Sequence, residues 1–239
     1  MYAFIGENQK VTRPKAAFGA SYTSQVDFNY TGGRMDVNFS SIGLGRVTYD
    51  ASVEGFKWPQ QVDVGFAYRP VNSILLALDV SWIQWSALRT VTVRGTNPSN
   101  SVAASTPALS NLAIPFVFNW KDQAVVAFGI AVDCWDELFE NRSCDEHTEK
   151  WFNVNKLTVR AGYNYSNNPV PSQTLSPLGA VIIEHHVTGG LGYRFGEHWS
   201  ADLSGLYGFK NTQSTTGFFT PGLQSTAGYF LYGTLSWLF

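Results

Sequence analysis

Residues 184–209 read EHHVTGGLGYRFGEHWSADLSGLYGF. Every second residue is apolar or aromatic, and those between are small, polar or charged. Two such runs meet at Gly196-Glu197-His198-Trp199. Alternation of period two predicts a β-hairpin. It leaves open which face is wet. In a soluble sheet the apolar face turns inward to a core; in a membrane barrel it turns outward to lipid.

The rest of the chain repeats the pattern. Residues 16–30 place Phe18, Ala20, Tyr22, Val26, Phe28 and Tyr30 opposite small and polar residues. Residues 61–69 and 74–94 alternate on either side of a tight turn at Pro70-Val71-Asn72-Ser73. The phase of 74–94 changes midway, which predicts one long strand with a bulge near Trp82–Ser86. Residues 113–134 hold a strand or a pair of strand segments, and 157–165 and 225–239 hold one each. Residues 31–60, 95–111, 166–181 and 210–224 read as loops. About eight strands result, with a partial one at Tyr2–Val11. Short turns and long loops alternate, as in outer-membrane barrels. The charged stretch 135–156 is the exception. No linker divides the chain, so 1–239 is expected to form a single barrel domain.

Composition narrows the class. Charged residues are 14% of the 239, aromatics 15%, and mean hydropathy is −0.08. The longest apolar run, Ala124–Val132, is far short of the ~20 residues a spanning helix needs. Strands of about 9–11 residues span without such a run. Net charge is −2 with no basic cluster, which gives no footprint for nucleic acid. The N-terminal MYAFIGENQKVTRPK lacks the pattern of a signal peptide.

Three features favour the lipid-facing reading over a soluble barrel. The polar faces carry very small residues. Aromatics crowd the strand ends, at Tyr193, Phe195, Trp199, Tyr207, Phe209 and Trp237. The chain stops on Phe239, with Leu235 and Trp237 on its face, a pattern resembling the C-terminal signal read by the barrel-assembly machinery. The fold expected is therefore all-β, an antiparallel transmembrane β-barrel in outer-membrane lipid. Its lumen face carries Asp79, Arg160, Glu184, His186, Arg194 and Asp202.

Four stretches resemble the FadL/TodX family of outer-membrane transporters: WPQQVDVGFAYRPVNSILLALDVSWIQWS (58–86), IPFVFNWKDQAVVAFG (114–129), LTVRAGYNYSNNPVP (157–171) and the opening hairpin. The resemblance implies a fourteen-stranded barrel with an N-terminal hatch. It implies passive transport of long-chain fatty acids or aromatic hydrocarbons, with no cofactor and no covalent catalysis. This chain has too few strands and no counterpart of the hatch, so it looks like the C-terminal part of such a barrel. Eight or nine strands closed on themselves would be filled by side chains.

Candidate chemistry is sparse. Arg160, Lys121 and Arg194 are the candidate substrate contacts, Arg160 first, because a guanidinium binds a carboxylate through a fork of donors. Lys121 lies in Asn119-Trp120-Lys121-Asp122, which resembles a family motif; the alternative there is an interfacial Trp beside a solvated ion pair. Glu184-His185-His186 suggests metal, but adjacent strand residues point to opposite faces, so no metal site is expected. Cys134 and Cys144 form a disulfide if their loop is periplasmic, and are otherwise two thiols. A non-transporting surface barrel and a hydrophilic porin are the alternative functions. A lipase would need a Ser–His pair at the rim, supplied by His185 or His198.

Overall fold

The computed structural model describes residues 15–133, 135–139, 156–176, 182–195, 198–216 and 222–237. The strands are β1 (Ala16–Thr23), β2 (Val26–Phe39), β3 (Gly45–Trp58), β4 (Gln61–Val71), β5 (Ile74–Ile83), β6 (Thr90–Thr96), β7 (Leu112–Val117), β8 (Gln123–Val132), β9 (Leu157–Ser166), β10 (His185–Phe195), β11 (Trp199–Thr215) and β12 (Gly222–Trp237). Three short helices accompany them: α1 (Ser101–Ser105), α2 (Pro107–Ser110) and α3 (Trp135–Phe139).

All pairing is antiparallel and falls into two sheets. The larger runs β1-β4-β5-β8-β9-β10-β11-β12 and the smaller β2-β3-β6-β7. The same four chain passes supply the smaller sheet and half of the larger one. Each pass changes sheet at a short break: 24–25, 59–60, 84–89 and 118–122. The order in the smaller sheet repeats that of β1, β4, β5 and β8, so it prolongs that half of the wall beyond the breaks.

The breaks have local causes. Pro59 has no N–H to donate and restricts Trp58. A 3-10 turn occupies Trp85–Ala87, and Asn119 takes a positive φ of 44°. Residues 74–94 are therefore not one bulged strand: the predicted bulge is where the chain leaves one sheet for the other. Residues 31–60, expected as loop, form most of the β2–β3 hairpin. Gly32, Gly43, Gly45 and Gly55, all at positive φ, mark its bulges and tip rather than an irregular segment. Strand also extends into the expected loop 210–224, up to Thr215 and from Gly222.

Register fixes the faces of the larger sheet. Asp79 pairs with Gly65 and Ala127, Arg160 with Ala131 and Gly190, and Gly192 with Thr158 and Asp202. One face thus carries Ser21, Gly65, Ala77, Asp79, Ala127, Arg160, Gly162, Thr188, Gly190, Asp202 and Ser204. It is concave, since β5 and β8–β12 line one trough. The other face carries Phe18, Val64, Phe66, Leu78, Phe128, Tyr163, Leu191, Leu203 and Leu231, all exposed. Most of the large apolar side chains of this sheet therefore face away from the trough, uncovered by protein. A ten-residue strand such as β8 is about 33 Å long, and a ~40° tilt reduces its height to about 25 Å, that of the apolar band of a membrane barrel.

The buried cores lie elsewhere. In the smaller sheet Val47 and Tyr49 are buried with Ala103 of α1, with Met35, Val37, Phe39 and Leu109 packed around them. Asn100 caps α1, its side chain accepting from the Val102 and Ala103 amides. The second core comprises Val170, Leu175 and Ile182, against Trp120. Among the described residues β1 and β12 do not pair with each other, so the eight strands form an open wall rather than the closed narrow barrel considered from the sequence.

Candidate functional site

The trough has a volume of about 780 Å³. Small side chains make the room. Ala77, Ala127, Gly129, Gly162, Thr188, Gly190 and Ser204 bring little bulk to a face built from several strands. Leu75, Leu206 and Tyr232 add apolar surface.

Two ionic features sit on this floor. Arg160 leaves β9, passes over β10 and reaches Asp202 on β11, with Nη1 to Oδ1 2.7 Å. It crosses at Gly192. A Cβ there would lie 2.5 Å from the Asp202 carboxylate and 3.0 Å from Arg160 Nη1. The ion pair thus lies flat on the wall because residue 192 has no side chain. Asp79 leans over Gly65 of the neighbouring strand in the same manner. Among the described residues Asp79 has no ion-pair partner. His186 is on the same face, opposite Asn164 and Gly208.

The end of the trough nearest the breaks is bridged. Residues 167–176, within the stretch expected as plain loop, together with 182–184 make contacts from the top of β8 to the top of β11. Asn167 accepts from the Ala124 amide at 2.6 Å and donates to the Asp122 carbonyl at 3.1 Å. The Lys121 amide donates to the Pro169 carbonyl at 2.8 Å. On the far side Gln213 donates to the Val170 carbonyl at 2.9 Å, and Asn211 to the Ile182 carbonyl at 2.8 Å. Val170, Leu175 and Ile182 form the apolar kernel of this cap. A row of rings adjoins it: Trp58 to Trp85 at 5.8 Å, Trp85 to Trp120 at 5.1 Å, Trp120 to Phe118 at 5.7 Å. The indole Nε1 of Trp120 is buried without a partner among the described residues.

The sequence-derived candidates fall in separate places. Arg160, Asp202, Asp79 and His186 line the trough. Arg194 is on the same face but four residues further along β10, opposite Ser200 near the short turn. Lys121 sits at the β7–β8 break. The strand between its neighbour Gln123 and Ala131, opposite Arg160, is about 26 Å long at ~3.3 Å per residue, so Lys121 and Arg160 do not act on one head group. Glu184 belongs to the cap, its carboxylate accepting from the Asn168 amide at 3.0 Å. His185 points away from His186 and meets Tyr163 and Tyr165 on the outward face. No cluster of metal-ligating residues occurs among the described residues. Leu235 and Trp237 face outward on β12, Trp237 against Trp199. Phe239, Cys134 and Cys144 lie outside the described residues.

The sequence did not disclose Gly192, Asn168, Gln213 or Trp85 as site elements. Glycines inside an alternating strand were the available signal for Gly192, since such glycines mark close approach.

No family model matches the chain, and no curated protein does. Solved structures do. The toluene transporter TodX of P. putida superimposes with a TM-score of 0.61 at 19% identity, over 95% of this chain and 45% of that one. A Pseudomonas aeruginosa FadL homologue gives 0.63 at 14% identity, over 93% of this chain and 48% of that one. The fold is that of the TodX and FadL β-barrels. A TodX monoaromatic hydrocarbon channel carrying the deltaS2 mutation matches as well, with a TM-score of 0.60 at 18% identity. The chain spans less than half the length of these structures.

Proposed function

We propose that this chain forms part of the wall of an outer-membrane channel through which hydrophobic compounds pass without chemical change. One observation carries the proposal: the larger sheet leaves its apolar face bare and keeps its small and polar residues on a concave trough. A soluble sheet would do the reverse. The short turn at Asn72–Ser73 is then periplasmic, and the cap and smaller sheet face the outside. Lipid covers the bare face, and Trp237 and Trp199 anchor its periplasmic edge.

Ligand binding draws on burial of apolar groups in the trough, about 0.8 kcal/mol per CH₂. The acyl chains of long-chain fatty acids and the rings of aromatic hydrocarbons both draw on this burial. The full-length protein, expressed in cells lacking their own transporter, is expected to raise uptake of at least one of the two. No gain in either would sink the proposal.

A surface-interaction role is the second reading. It is favoured by the smaller sheet, which has its own core and a polar face bearing the Arg94–Glu54 pair at 2.7 Å. Deleting residues 95–111 should then abolish partner binding and leave uptake intact.

A further inference from the structure

We propose that Asp202 is a specificity-determining residue that withholds Arg160 from ligands, so that the trough accepts neutral hydrophobes and rejects carboxylates. The inference rests on the transport reading and deepens it.

A ligand carboxylate on this face needs a cation. The ionised groups lining the trough are Asp79, Arg160 and Asp202, two carboxylates and one guanidinium. That guanidinium is already engaged at 2.7 Å by Asp202. The two side chains are half-exposed to the trough, so the pair is reachable by ligand. An incoming carboxylate would displace Asp202 or sit beside it and face its like charge. The first gives up the 2.7 Å ion pair, and the second sets two carboxylates side by side. Lys121 stands at the far end, and Arg194, two residues beyond Gly192 on the same face, is not among the residues lining the trough. A neutral molecule meets none of these penalties and still gains the apolar surface of Leu75, Leu206 and Tyr232.

The position of the pair supports a designed role for it. The Arg160 side chain is pinned across the bare backbone at Gly192 instead of standing into the trough. The cation is thus both neutralised and moved out of the ligand's path. With Asp202 changed to Asn, the same guanidinium becomes a free fork on the trough wall, suited to a carboxylate.

Binding of 1-decanol and of decanoate to the purified full-length protein in detergent isolates the charge, since the probes share a chain. It is measured by calorimetry above neutral pH. The wild-type protein is expected to bind decanol and to bind decanoate about tenfold more weakly or less. Asp202→Asn is expected to tighten decanoate about tenfold, the worth of a charge-assisted hydrogen bond, with decanol unchanged. A double variant, Asp202→Asn with Arg160→Gln, keeps a neutral hydrogen-bonding pair over Gly192 and is expected to bind decanoate as the wild type does. Equal binding of the two probes by the wild type would overturn the inference. So would loss of decanoate binding in the double variant, which would make Arg160 the head-group receptor. If neither probe binds, the transport reading fails and the inference falls with it.

Discussion

The same four chain passes meet opposite surroundings on the two sides of the breaks. Below them, in the larger sheet, Phe66, Leu78, Val126 and Phe128 stand bare on the outward face. Above them, in the smaller sheet, Val47 and Tyr49 are buried beneath α1. The chain makes a helix and a core where lipid would no longer reach, and omits both where it would. On the proposed transport reading, the location of the cover, rather than the hydrophobicity of the strands, marks which stretch meets the bilayer.

Four substitutions and one reference probe that contrast. The largest effect is expected from Tyr49→Ala. Emptying a fully buried aromatic site costs about 3–5 kcal/mol. Hydrogen exchange should show β2 and β3 opening while β8–β11 stay protected. Simultaneous loss of protection in both sheets would make them one cooperative unit and erase the distinction. Phe128→Arg comes next. A cation at mid-strand on a lipid-facing surface costs about 2–4 kcal/mol, read as reduced refolding into phospholipid vesicles. Thr96→Arg, at an exposed position of the smaller sheet opposite Asp50, serves as the reference and should change little. If both are harmless, the bare face does not meet lipid. Asn100→Ala removes the cap of α1 and should cost about 1 kcal/mol, seen as faster proteolysis within 97–111 without loss of vesicle insertion. The smallest and only favourable change is Tyr49→Phe. The Tyr49 hydroxyl is buried with no partner among the described residues, and removing such a group should stabilise the smaller sheet by about 1 kcal/mol. A loss of stability instead would show that this hydroxyl is hydrogen-bonded.

Much of the wall was legible from period two. The hairpin 184–209 appears as β10 and β11 in the expected phase, with Phe195 opposite Trp199. The lumen-side placement of Asp79, Arg160, His186 and Asp202 follows from counting alternate residues. The β2–β3 hairpin was missed because its glycines carry bulges, and a bulge shifts the phase that counting relies on. The cap was missed because Asn, Pro and Ser signal a loop whether or not it folds back over apolar residues such as Leu175. The partnership of Arg160 with Asp202 was beyond reach for another reason. The residues are 42 positions apart, and only the register of three strands brings them over Gly192.

The ring row at the breaks is also an optical instrument. Trp58, Trp85 and Trp120 are three of the eight tryptophans in the chain, and successive indoles lie 5.8 and 5.1 Å apart at steep angles. Transition dipoles that close couple as excitons, so this row should give a circular-dichroism couplet that distant tryptophans cannot. Trp120 also touches the kernel of the cap. A substitution in that kernel that turns the indole should change the couplet, so the contact can be followed without an added label.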